Sequence, residues 1–159
     1  MANIYPQSVE DAIDKLKFAV KAVAESLILN AEFADELIEK PVTPGLITTF
    51  LRRHSGLSQM DATDFESSAA HLSETIKTCS LAAKEFYQIT SPLIRRERAC
   101  VKRNLQNYNA RITNSSVKDK RTLIRKKLAE IHLEILDDLV ELTIKIYQTK
   151  RKFELIHND

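Results

Sequence analysis

The sequence predicts an all-α protein: an antiparallel bundle of three to four long amphipathic helices with coiled-coil-like seams. Three observations point there. The 159 residues contain only two glycines and four prolines, so helix breakers are scarce. Apolar residues recur in alternating steps of four and three over several long stretches, the spacing of a helix that buries one stripe. Charged residues, 29% of the chain, fill the positions between them, which leaves a polar face on each helix. The length suits one domain, residues 1–159, large enough to bury a core of its own.

The first helix is expected over about 8–40. Ser8 is a candidate N-cap, and Glu10 and Asp11 fall in the first turn, where the helix dipole favours acids. Its seam reads Val9, Ile13, Leu16, Val20, Val23, Leu27, Asn30, Ala34, Leu37. Asn30 is the one polar member, of the kind that can fix register inside a coiled coil. Pro41 and Pro44-Gly45 end the helix and open a linker over 41–60, in which Leu46–Arg53 could form a short helix and His54–Met60 a loop.

A second helix is expected over about 61–90, with Phe65, Ala69, Leu72, Ile76, Cys79, Ala83 and Phe86 as its seam. Past Ser91-Pro92 the seam moves by one residue, to Ile94, Val101, Leu105, Tyr108 and Ile112. The proline and the phase shift together predict a break or kink at Pro92, with a new helix over about 92–112. A turn at Thr113–Ser116 then leads into the last helix, about 117–157, with Ser116 as its cap. That helix carries two apolar stripes: Leu128, Ile131, Ile135, Leu139, Leu142, Ile146 and Phe153 on one, Leu133, Leu136, Val140, Ile144 and Tyr147 on the other. Its middle must therefore be covered on two sides, by its own bundle or by a second copy.

Charge is concentrated in the hairpin between these last helices. Residues 93–127 hold twelve basic side chains against Glu97 and Asp119, a net charge of +10, whereas residues 1–92 carry −5 and residues 128–159 carry −3. Lys118, Lys120 and Arg121 crowd a helix N-terminus, where the dipole disfavours positive charge by ~0.3–1 kcal/mol each. Local stability would not choose that arrangement, so the run points to an anionic partner. Candidate anion-binding residues are Arg95, Arg96, Arg98, Lys102, Arg103, Lys118, Lys120, Arg121, Arg125, Lys126 and Lys127. An anionic membrane, a nucleic acid and an acidic protein face all meet that description. The missing helix-turn-helix, zinc-finger and RRM motifs and the single aromatic, Tyr108, in the stretch argue against sequence-specific nucleic-acid reading.

The layout of Phe86–Arg111 (FYQITSPLIRRERACVKRNLQNYNAR) with Lys118–Lys127 resembles BAR-type membrane-binding modules: long helices, one bent at a proline, with a basic tip between them. The chain is shorter than such domains usually are, and 41–60 interrupts the helical course they follow. The resemblance implies a homodimer built on long helices that lays basic residues on curved anionic bilayers. Lipid contact would then fall to Arg95, Arg96, Lys102, Arg103, Lys118, Lys120, Arg121, Lys126 and Lys127.

Catalysis finds little support. Glu154-Leu155-Ile156-His157 spells the E-x-x-H of di-iron bundles, but there is no second copy to complete a site. Glu134, Asp138 and Glu141 line up on one face, an arrangement more often solvated than metal-binding. Arg125 and His132, seven apart, are similar in spacing to the Arg and His of helical RNases of the HEPN type, yet Lys126 stands where those enzymes carry a polar residue. No Gly-rich phosphate loop or nucleophile elbow occurs, and nothing calls for a cofactor or a metal. Cys79 falls on an apolar seam and reads as a small buried hydrophobe. Two cysteines make no disulfide framework, Met1–Asp14 lacks the apolar run of a signal peptide, and no 18-residue uncharged run occurs. The expectation is a cytoplasmic, non-enzymatic binding protein, peripheral on an anionic membrane and dimeric. The alternatives are a nucleic-acid-associated bundle and a structural subunit of a coiled-coil assembly.

Overall fold

The computed structural model describes residues 4–43, 46, 49–50, 59–114 and 119–157. All the regular structure among them is helical: α1 (Ile4–Leu29), α2 (Ala31–Glu39), α3 (Gln59–Lys77), α4 (Ala83–Asn114) and α5 (Lys120–His157).

The first expected helix is two. Val9, Ile13, Leu16, Val20, Val23 and Leu27 are all buried, as the four-three seam requires, and the stripe continues through Ala34 and Leu37. Ser8 is not at the helix N-terminus, because the helix already runs through it. Asn30 does not sit inside a continuous seam; it separates α1 from α2 with φ −121° and ψ 59°. Its side-chain Nδ2 donates to the Ser26 carbonyl at 2.9 Å, and its backbone N–H is shared between the Ser26 and Leu27 carbonyls. A short amide side chain that competes for backbone partners in this way is what weakens Asn within helices. At the far end Lys40 takes the extended conformation, φ −79° and ψ 143°, as the residue before Pro41 must. In the expected linker, Leu46 and Phe50 are buried in the core, and Gln59 and Met60 are already helical. Residues 44–45, 47–48 and 51–58 of that segment, and Lys118 and Ser116 further on, lie outside the described residues.

Of the break or kink expected at Pro92, the break is in another place. Pro92 lies exposed inside α4, and the chain stays helical on both sides of it. Ser91, expected to cap a new helix, is buried, and its Oγ accepts a hydrogen bond from Arg95 Nε at 3.0 Å. The shift in the seam has a different cause. The buried residues Phe86, Thr90 and Ile94 are spaced by four and four, which turns the stripe around a 3.6-residue helix without interrupting it. The interruption is at Thr78–Ala82, where α3 ends and α4 has not begun. There Thr75 and Thr78 hydroxyls bond back to the carbonyls of His71 and Glu74, at 2.7 and 2.8 Å.

Helices α4 and α5 form an antiparallel hairpin, the most extensive packing in the molecule. Tyr87 meets Tyr147 near one end with ring centroids 4.8 Å apart, and Arg98 donates through Nε to Asp137 further along. The cap of α5 is Asp119: one carboxylate oxygen accepts the Arg121 N–H at 3.1 Å, the other the Thr122 hydroxyl at 2.9 Å. That acid partly offsets the adverse crowding of cations at this terminus. The α1 helix runs parallel to α4 and antiparallel to α5, with Glu10 beside Arg96 and Glu25 beside Arg125. Because α3 ends where α4 begins, it is antiparallel to α1, its main neighbour. The short α2 lies over the first turns of α5.

All five helices contribute to one buried cluster. Both stripes of α5 are used within the chain: Leu128, Ile131, Leu136 and Leu139 are buried, and Leu133, Ile135, Val140, Leu142, Ile146 and Tyr147 pack half-buried against the cluster. Phe153 is not covered, and with Leu155 and Ile156 it stands exposed on the last turn.

Candidate anionic-surface site and an adjoining groove

The hairpin brings the expected basic residues along two helices, but bundle packing divides them into three groups. Four are ion-paired. Arg96 reaches Glu10 at 3.6 Å, Lys120 reaches Asp35 at 2.8 Å, Arg125 reaches Glu25 at 3.5 Å, and Arg98 meets Asp137. All these pairs are substantially solvated, so each is worth ~0–1 kcal/mol and leaves its cation partly available.

Two more are drawn back to the protein. Arg95 is exposed but tethered to Ser91. Lys127 is a correction to the expected surface: it is buried, with Nζ donating to the Lys40 carbonyl. It serves as a remote cap for the C-terminus of α2, where a cation suits the negative pole of the dipole.

The third group is Lys102, Arg103, Arg121 and Lys126. The first three are exposed, Lys126 is half-buried, and none forms an ion pair with another described residue. With Arg111, also exposed, they lie on the tip half of the hairpin. Leu29, at the last position of α1, emerges at the same end and is 84% exposed.

Beside this surface, α1, α4 and α5 enclose a groove of about 450 Å³. Its apolar lining includes Val20, Ala24, Val101 and Leu128, with Tyr108 beside them. Lys17, Lys21, Arg111 and Arg125 line it as cations, against the carboxylates of Glu25 and Glu97. His132 lines it from α5. That imidazole is 4% exposed, and its Nε2 is buried without a hydrogen-bond partner among the described residues. Burial, and then the nearby Lys17 ammonium, push its pKa down to about 4, so the ring is neutral at neutral pH. The sequence showed the Arg125–His132 spacing but not the groove. Lys17 and Lys21 read as ordinary polar-face residues of α1, and only the parallel placement of α1 against α4 brings them to Tyr108 and His132.

The opposite end of the hairpin holds a clamp that sequence reasoning also missed. Lys150 Nζ donates to the carbonyls of Cys79 and Leu81, at 3.0 and 2.7 Å, and lies 5.4 Å from the centre of the Phe86 ring. One turn on, Glu154 Oε1 accepts the Ala83 N–H at 2.9 Å. The glutamate of the E-x-x-H sequence is therefore the N-cap of α4. Cys79 is buried, as expected, though in the connection rather than on a helix; Cys100 is half-buried and free.

Among the described residues no three His, Cys, Asp or Glu side chains gather as a metal site requires, and no helix is long and apolar enough to cross a membrane. Comparisons with protein-family models, curated protein sequences and solved structures found no match to this chain.

Proposed function

We propose that this chain is a non-enzymatic binding protein that docks on an anionic membrane through the tip half of the α4–α5 hairpin. The observation that carries the reading is the group Lys102, Arg103, Arg111 and Arg121, all exposed and free of ion pairs with described residues, on a chain whose other regions are acidic. Polybasic surfaces gain about 1 kcal/mol per Lys or Arg near an anionic leaflet, so this group is sufficient for reversible attachment. Leu29 favours a membrane over a nucleic acid. A leucine 84% exposed at the cationic end has an apolar phase to enter in one case and none in the other. Tyr108, the one aromatic of the cationic stretch, is half-buried, so that stretch presents no fully exposed ring for bases to stack on.

The test is co-sedimentation with phosphatidylserine-containing vesicles and with neutral vesicles at physiological salt, with RNA as competitor. Binding is expected to the anionic vesicles alone. It is expected to vanish in the Lys102→Glu, Arg103→Glu, Arg121→Glu, Lys126→Glu variant at unchanged helicity, and to weaken in Leu29→Ser. Equal binding by the charge-reversed variant overturns the reading, and competition by RNA replaces it with a nucleic-acid partner.

A further inference from the structure

The groove between α1, α4 and α5 is built differently from the docking surface and shares only Arg111 with the group that carries the membrane reading. Four cations face two carboxylates around it, a surplus of two positive charges. The apolar residues Val101 and Leu128 and the Tyr108 ring give it a wall that a free inorganic ion would leave uncovered. His132 adds a buried ring nitrogen with no partner among the described residues. An isolated buried polar atom of this kind is unfavourable, and a ligand atom hydrogen-bonded to it would recover part of the cost.

We propose that this groove binds a small organic phosphate monoester, with its phosphate among Lys21, Arg111 and Arg125 and its apolar body along Val101, Tyr108 and Leu128 towards His132. A phosphate monoester carries a charge of about −1.5 to −2 at pH 7, which matches the surplus. The volume, about 450 Å³, falls in the range of sites that enclose a small organic molecule. Neutral imidazole can donate or accept through Nε2 according to its tautomer, so either kind of ligand atom is served. The same headgroup chemistry occurs in soluble metabolites and in lipids with a terminal phosphate.

The experiment is a titration of the ¹⁵N-labelled full chain with phenyl phosphate, inorganic phosphate and phenol, followed by amide shifts, with short-chain phosphatidic acid in a parallel series. Phenyl phosphate is expected to give saturable shifts at Lys21, Val101, Tyr108 and His132, at least about tenfold tighter than phosphate or phenol. The His132 ring is expected to titrate at higher pH in the complex, because the bound anion opposes the effect of Lys17. Lys21 is exposed, so Lys21→Gln tests the site without threatening the fold, and it should weaken binding by about tenfold. Saturation by phosphatidic acid alone would support the site with a lipid as its source. Absence of saturation by both probes up to about 10 mM, or equal affinity in Lys21→Gln, overturns the proposal. The charge-reversed hairpin variant should bind phenyl phosphate like the wild type, which separates this site from the membrane surface.

Discussion

Glu154 Oε1 accepts the backbone N–H of Ala83 at 2.9 Å, across 71 residues of chain. The first turn of α4 is thus capped from the last turns of α5. Lys150, one turn earlier, holds two carbonyls of the preceding connection. Each end of the interrupted helix path meets a side chain of complementary charge.

Loss of a helix cap costs about 0.5–2 kcal/mol. Glu154→Ala is expected to lower stability in urea by about 1 kcal/mol and to speed hydrogen exchange at the amides of residues 83–86, while α1 is unaffected. Unchanged exchange there would mean that the cap contributes nothing.

His132 makes stability depend on pH. Its folded pKa, about 4, lies below the ordinary 6.5, so between these values the unfolded chain binds the proton and the folded chain does not. Stability is therefore complete above about pH 6.5 and falls as pH drops towards 4, by up to about 3 kcal/mol. Replacement His132→Leu should flatten this part of a denaturation-against-pH curve. If the mutant and wild-type curves stay parallel from pH 7 to 4, the imidazole is not the group responsible.

Lys127 and Lys102 are predicted to part company. Lys127→Met keeps the aliphatic bulk but leaves the Lys40 carbonyl without its donor, for a loss of about 1–3 kcal/mol by chemical denaturation. Vesicle binding by that variant should match the wild type. Lys102→Glu should reverse the pattern, with stability kept and vesicle affinity reduced.

Pro92 removes one N–H from the interior of α4 on an exposed face. Pro92→Ala restores the donor to the Gln88 carbonyl, and a gain of about 1–3 kcal/mol is expected in thermal or urea unfolding. A loss instead would show that the proline ring is needed by the packing of Phe86 and Ile94.

The core was the most readable part of this chain. Val9 through Leu27, then Phe65, Leu72 and Ile76, were all visible as seams because burial against a neighbour imposes a period that short windows reveal. The helix ends were less so. Pro92 carries the strongest breaker signal in its region, yet the chain breaks at Thr78–Ala82, where no Gly or Pro stands and the stabilising partners are Lys150 and Glu154, some 70 residues away. Asn30 read as a register residue inside one helix, because the apolar period continues across it to Ala34 and Leu37; the break comes from its amide bonding back to the Ser26 carbonyl. The basic run was plain in the sequence, but which of its cations remain free depends on Glu10, Glu25, Asp35 and Asp137, acids supplied by other helices.

The extensive pairing of α4 with α5 joins segments that are adjacent along the chain. Such an antiparallel pair can zip from its turn with little loop-closure entropy, and topologies dominated by local pairing fold quickly. Docking of α1 on α5 must wait for a loop of some 90 residues to close, although its main neighbour, α3, is nearer in the chain. Substitutions at the α4–α5 contact are therefore expected to slow refolding, whereas substitutions on the α1 seam should chiefly accelerate unfolding. The cationic hairpin would then be the first recognisable piece of the molecule in time, and the acidic helices that neutralise part of it would arrive afterwards.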